Sequence, residues 1–311
     1  MSCNGSTLTA LGLGTVQFGC DYGITNPSGQ VSFQEVERIL GRAATLGIKV
    51  LDTAALYGLS EETLGSILGP EHPFRIVTKT SKVASDIVSD SDAAELARTF
   101  DRSLTRLNQA SIYGLLLHDA NDLLKPGGAR LLDALHGLKR DGRVTKIGVS
   151  VYTPKQIDNV LALFTPDLIQ LPLNVLDQRL ISGGHLKRLR RGGVEIHARS
   201  VFLQGLLLMK PQAVDSYFEP MRIRLESFHN DMTAMDTTPL QGALQFALSR
   251  VEVDTVLVGV CSRSELEEIR TAEIHPASAD IDFSRWAFND PRFIDPSKWR
   301  LHGGAADRRT A

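Results

Sequence analysis

The chain has 311 residues and a formal net charge of −2, with 42% hydrophobic and 23% charged residues, ordinary values for a soluble folded chain. Near neutrality without a long Lys/Arg block lacks the footprint of a nucleic-acid or anionic-membrane binder. No run approaches the roughly 18 apolar residues of a membrane span, and the polar start MSCNGSTLT has no basic region or apolar core of a signal peptide, so a cytoplasmic location is expected.

Short β-rich apolar runs alternate along the chain with segments of helical period. LGLGTV (11–16) precedes FQEVERILGRAATLG, IKVLDT (48–53) precedes SEETLGSIL, FRIVTK (74–79) precedes AAELARTFDRSLTRL, and IYGLLLH (112–118) precedes ARLLDALHGLKRDG. The second half continues with VTKIGVS (144–150) before TPKQIDNVLALF, DLIQL (167–171) before GGHLKRLRRGG, VEIHARS (194–200) before TTPLQGALQFALSR, and DTVLVGV (254–260) before SRSELEEIRTA. Ser60, Thr153 before Pro154, Thr238 before Pro239, and Ser262 with Glu265 read as helix starts, and Gly47, Gly142 and Gly192 as helix stops.

Eight strand-then-helix units in strict order predict an α/β fold, a single (β/α)8 TIM barrel with a long loop after strand seven and a C-terminal extension. The barrel is expected over about 10–273, and the extension over 274–311. A doubly wound open sheet is the alternative, but Gln17 stands where the third glycine of a GxGxxG fingerprint belongs. Residues 201–236 separate strand seven from its helix, and their strand-to-helix side places them at the catalytic face. The tail carries Pro276, Trp286, Phe288, Phe293 and Trp299. It either folds over that face or packs outside the barrel, and the end GGAADRRTA is expected to be disordered. Cys3, Cys20 and Cys261 are odd in number and far apart, and the eight histidines contain no HExxH, so neither a disulfide framework nor a metal site is expected.

In such barrels reactive groups come from the carboxyl ends of strands. Asp52 closes the second run, Tyr57 follows it, Lys79 closes the third and His118 the fourth. Singly, each has an ordinary structural explanation: a cap, a rim residue, a solvated strand end, a core histidine. Together on three adjacent strands they suit acid–base chemistry. A carboxylate keeps the lysine charged, the ammonium lowers the pKa of the phenol, and the imidazole orients a carbonyl oxygen. That set protonates a developing alkoxide or deprotonates an alcohol, and it contains no Ser or Cys nucleophile poised by a base.

The motifs LGLGTVQFG, LDTAALYG, IVTKT, LLLHD, KIGVS, LIQLPLNVLDQR, ARSVFLQG and VLVGVCSRSELEEI, in this order, resemble those of the aldo-keto reductase family over roughly residues 10–270. The resemblance implies hydride transfer between NAD(P)H and an aldehyde or ketone, with Asp52, Tyr57, Lys79 and His118 as catalytic tetrad and Tyr57 as general acid. It implies that Ser150 and Gln170 hold the nicotinamide carboxamide, with Gly14, Thr15 and Asp52 near its ribose. Arg199 stands where many members stack a tyrosine on the nicotinamide, and a planar guanidinium can also stack. Ser200, Phe202, Leu203, Gln204 and Gly205 resemble the loop around the pyrophosphate, followed by Gly259. Ser262 and Arg263 resemble an adenosine-phosphate site, and Glu267 and Glu268 residues that contact ribose or adenine. Ile269 departs from the family's asparagine, so NADP(H) is preferred only weakly over NAD(H).

Phe18, Asp21, Tyr22 and Asn174 are candidate substrate contacts. The polar ones suggest sugars or sugar-derived carbonyl compounds. Two competing readings keep the barrel: a nicotinamide-binding redox sensor, and a lyase or isomerase using Lys79 as a Schiff-base amine. The expected partner is a small carbonyl or alcohol substrate, and the oligomeric state is left open.

Overall fold

Eight parallel strands close into a barrel in sequence order: β1 (Ala10–Gly14), β2 (Val50–Asp52), β3 (Arg75–Lys79), β4 (Ile112–Leu117), β5 (Val144–Ser150), β6 (Leu168–Pro172), β7 (Glu195–Arg199) and β8 (Thr255–Gly259). β1 pairs with both β2 and β8, so Gly14 lies opposite Asp52 on one side and Gly259 on the other. This computed structural model describes residues 9–276 and 281–301; Cys3 and the terminus GGAADRRTA lie outside the described residues.

The helices are α1 (Phe33–Thr45), α2 (Ser60–Ile67), α3 (Asp90–Leu107), α4 (Ala129–Arg140), α5 (Pro154–Leu163), the short α6 (Arg179–Ser182), α7 (His185–Arg191), α8 (Arg222–Ala234), α9 (Pro239–Leu248), α10 (Arg263–Ile274) and the short α11 (Pro291–Ile294). Their apolar stripes pack on the outer face of the barrel. In α1, Val36, Ile39, Leu40 and Ala43 are buried, the i, i+3, i+4, i+7 pattern of a helix with one covered face. Thr153 and Thr238 form complete capping boxes. Ser60 departs from its expected capping role. It is the first residue of α2, fully buried, and its hydroxyl bonds Thr15 and Thr53, tying the ends of β1 and β2 to the helix.

Strand pleating positions the site. Val50, Val77, Leu116, Leu168 and Leu257 form an apolar cluster separate from the larger core, as expected for side chains pointing into the barrel. Side chains two residues on share the same face. Asp52, Lys79, His118, Gln170 and Gly259 therefore form the next layer, at the carboxyl mouth.

The segment after β7 is structured. It contains three 3₁₀ turns and the 13-residue α8, a helix whose pattern is broken in sequence because Ile223 is exposed while Leu225, Phe228 and Met232 are buried. The tail packs on this excursion. The Trp286 ring lies 5.3 Å from Phe228 and its Nε1 donates to Asp231, and Trp299 lies 5.0 Å from Phe218. The tail also reaches the loop after β6, where the Phe288 amide donates to the Leu176 carbonyl and Gln178 donates to the Phe283 carbonyl.

Candidate active site

A cleft of about 710 Å³ opens at the carboxyl end of the barrel, lined by Asp52, Tyr57, Lys79 and His118 together with residues after β1, β5, β7 and β8. That volume falls within the roughly 300–1,000 Å³ of small-molecule and cofactor sites. The described tail residues contribute nothing to its lining.

Lys79 Nζ donates to both Asp52 oxygens at 2.7 Å, to the Thr53 carbonyl at 2.9 Å and to the Tyr57 hydroxyl at 3.3 Å. Both ion-pair partners are almost wholly buried. Burial draws the Lys79 pKa below its ordinary value, and the contact with Asp52 opposes that loss. Tyr57 is set on its loop by a close backbone crossing. A Cβ on Gly19 would lie 1.9 Å from the Tyr57 carbonyl oxygen, so only glycine lets the β1 loop pass there, and the Gly19 carbonyl accepts from the Leu59 amide.

The expected acidification of Tyr57 does not occur: burial first, then the negative Asp52, push its pKa well above that of a free phenol. Asp52 holds the ammonium with both oxygens, and its negative charge adds to the cost that burial puts on a phenolate. Tyr57 is consequently held in the protonated form that a proton donor requires.

His118 packs edge-on to Tyr57, with ring centroids 5.9 Å apart. Burial first, then Lys79, lower its pKa to about 3, so the ring is neutral. Its Nδ1 is buried with no hydrogen-bond partner.

Gly14, Thr15, Ser150, Gln170, Arg199, Ser200, Phe202, Gln204, Gly205, Gly259 and Glu268 all border the cleft. The Thr15 hydroxyl is committed to the Asp52 carbonyl. Gln170 donates to Asp52 Oδ1 at 2.7 Å, while its own Oε1 is buried and unpartnered. Arg199 stacks 4.1 Å over the Tyr152 ring and donates to the Val151 carbonyl. After β7, Ser200, Leu203 and Gln204 all take positive φ, followed by Gly205 at φ 89°, where a Cβ would meet Thr25 Oγ1 at 2.1 Å. Three non-glycine residues in this region within five positions mark a loop held in strain.

Seven expected contacts do not border the cleft. Leu203 is fully buried in the core. Ser262 caps α10, and Arg263 and Glu267 lie on the side of α10 facing α1, where Glu267 accepts from Arg42 at 2.8 Å. Phe18 is a core residue, and the Asp21 carboxylate accepts from the Gln30 amide. Asn174 is wholly internal: it donates to the Ser200 carbonyl and accepts from the Leu176 and Asp177 amides. Of the four candidate substrate residues only Tyr22 reaches the cleft, its hydroxyl accepting from Gln204. Position after a strand was the signal for these four, and it does not distinguish a side chain facing the mouth from one that builds a loop; Leu203, Ser262, Arg263 and Glu267 rested on the family resemblance.

The lining also includes residues that the sequence reading passed over: Gln17, whose Oε1 is buried and unpartnered, Tyr152 beneath Arg199, and Cys261 and Glu265 at the start of α10. Tyr152, two residues beyond Ser150, could have been found by continuing the strand alternation one step.

A family model described as the Aldo/keto reductase family matches residues 10–285. The chain belongs to the aldo/keto reductase family. L-galactose dehydrogenase from Arabidopsis thaliana is 27% identical over 296 residues, spanning 89% of this chain and 88% of that protein. An aldo-keto reductase from Mycobacterium sp. (strain MCS) is 28% identical over 184 residues, 56% of each protein. Among solved structures, the holo form of an aldo-keto reductase from Bacillus halodurans superposes with a TM-score of 0.69 at 22% identity, covering 86% of this chain and 87% of that one. A glycerol dehydrogenase from Gluconobacter oxydans gives 0.64 at 21% identity, covering 88% and 94%. Both structural likenesses concern the fold.

This aldo-keto reductase is thus an oxidoreductase using a nicotinamide cofactor for carbonyl reduction. The cleft suits such a group. The orphaned Gln170 Oε1 is an acceptor in search of an N–H donor, as a carboxamide supplies, and the left-handed run after β7 is the kind of backbone that turns amides toward an anion. Among the described residues there is no group of three or more side chains able to hold a metal ion, and no helix is long and apolar enough to cross a membrane.

Proposed function

We propose that this reductase converts an aldehyde or ketone of a sugar or sugar derivative to the alcohol, or catalyses the reverse oxidation, with Tyr57 as proton donor. The bound nicotinamide supplies or accepts the hydride. The observation that carries this reading is the contact of Lys79 Nζ with the Tyr57 hydroxyl at 3.3 Å, while Asp52 holds the same nitrogen at 2.7 Å.

In this reading the neutral His118 hydrogen-bonds the substrate carbonyl oxygen and aims it at Tyr57. The phenol gives up its proton as negative charge develops on that oxygen, and the adjacent ammonium stabilises the phenolate left behind. Gln170 and Ser150 would hold the carboxamide, Arg199 would lie on the side of the ring, and the loop from Ser200 to Gly205 would take the pyrophosphate. Leu203 contributes there through backbone geometry alone.

The sugar assignment is supported by the name of the Arabidopsis relative and by the phenols of Tyr22 and Tyr152 at the cleft. It does not rest on Asp21 or Asn174. The packing of the described tail on the excursion after β7 supports treating barrel, excursion and tail as a single domain.

Tyr57→Phe keeps the ring and removes the proton donor. Turnover of a responsive aldose or sugar alcohol should fall about a hundredfold or more, with little change in nicotinamide binding measured by fluorescence quenching. Unchanged turnover would remove the acid role from Tyr57, and cofactor binding without turnover on a broad carbonyl panel would favour the sensor reading.

A further inference from the structure

The first turn of α10 borders the cleft on one side and α1 on the other. Cys261, Glu265, Glu268 and Ile269 line the cleft. On the far side, Arg42 and Arg263 converge on Glu267. The amides that open the helix have acceptors within the chain: Cys261 donates to Glu265 Oε2 at 2.7 Å, Arg263 to Glu35 Oε1 at 2.7 Å, and Glu265 to Ser262 Oγ at 3.1 Å. A helix start ordinarily offers such donors to a phosphate, and here a carboxylate from α1 already holds one of them.

The charges around the cleft point the same way. Among the described residues its only Lys and Arg are Lys79 and Arg199, both at the ends of barrel strands beside Tyr57. The α10 end presents Glu265 and Glu268, and Glu268 forms no ion pair among the described residues. A phosphate monoester brings nearly two negative charges at neutral pH; a ribose hydroxyl brings none and can donate to a carboxylate, the means by which dinucleotide sites elsewhere hold an unphosphorylated ribose.

Building on the nicotinamide reading above, we propose that this reductase selects NAD(H) over NADP(H), with Glu35 occupying the helix-start position a 2′-phosphate would need and Glu265 and Glu268 repelling that phosphate from the cleft. Arg263, which by sequence favours the phosphorylated cofactor, is turned to the α1 side and paired with Glu267. The selection is electrostatic in origin and weakens as salt screens it.

The test is a titration of the purified full-length protein with NADH and with NADPH, followed by fluorescence or calorimetry at about 50 mM and 300 mM salt, conditions that bracket the Debye length over which these charges act. Expected is a Kd for NADH lower by at least about tenfold, equivalent to 1.4 kcal/mol, with the gap narrowing at high salt. Glu268→Lys, an exposed position, and Glu35→Gln should each tighten NADPH while leaving the thermal melt near that of the parent; a variant that melts early is replaced by the other. NADPH binding as tight as NADH, or a gap indifferent to both variants, overturns the proposal and leaves the nicotinamide reading standing. Failure to bind either nucleotide overturns both.

Discussion

Gln170 on β6 donates its amide hydrogen to Asp52 on β2 across 2.7 Å, and the other end of that amide, Oε1, is buried without a partner. One side chain thus steadies the carboxylate that holds Lys79 and keeps an unused acceptor in the wall of the cleft. Gln170→Leu removes both. Because a hydrogen bond of this type contributes about 0.5–1.5 kcal/mol, nicotinamide affinity should fall severalfold to tenfold, read from the Kd. Unaltered affinity would show that Oε1 does not face the cofactor.

Asp52→Asn leaves Lys79 buried without its counter-charge. Breaking such a pair costs about 3–5 kcal/mol, measurable as a lower urea midpoint. The pH dependence has a definite sign. Burial already depresses the Lys79 pKa in the folded state, so below its unfolded pKa the unfolded chain binds more protons, and stability falls as pH decreases. Removing Asp52 depresses the folded pKa further, and the variant should lose more stability than the parent between pH 10 and pH 7.

His118, held neutral with a pKa near 3, acts in the same direction in a lower window. Unfolding lets it protonate below its ordinary value of about 6.5. As pH falls from there toward 3 the folded state loses up to about 1.4 kcal/mol per pH unit from this residue. His118→Gln should flatten that slope between pH 6.5 and 4, as followed by chemical denaturation. An identical slope would place the neutral histidine elsewhere.

Trp286 is fully buried against Phe228 and Phe283 and hydrogen-bonded to Asp231. Trp286→Ala should cost about 3–5 kcal/mol and lower the melting temperature. Since the described tail residues do not line the cleft, kcat measured well below the melt should stay near that of the parent. A selective rise in KM would instead make the tail part of the substrate wall.

Much of this architecture is written in local pattern. Apolar runs of strand length and helical periods repeat eight times, several with capping residues, and each signal is carried by residues close together in the chain. The gathering of Asp52, Lys79 and His118 was readable for the same reason: each follows an inward-facing apolar residue by two positions, and pleating carries all three to one mouth. α8 was not readable, because exposed Ile223 interrupts its apolar stripe.

What only the tertiary structure decided depends on contacts between distant segments and on the direction in which a loop residue points. Asn174 and Asp21 have the composition of substrate contacts, yet the Asn174 amide is consumed by backbone amides and a carbonyl, and Asp21 lies outside the cleft with one oxygen on the Gln30 amide. Tyr57 lies beside an ammonium but is not acidified, because burial disfavours the phenolate and the nearby negative Asp52 adds to that. At α10 the sequence places an arginine beside a helix start, and the fold turns it toward α1 and brings Glu35 from 228 positions away onto its amide. Charge type is a property of the residue, but the field it makes in a cleft is set by distance and by what else lies nearby.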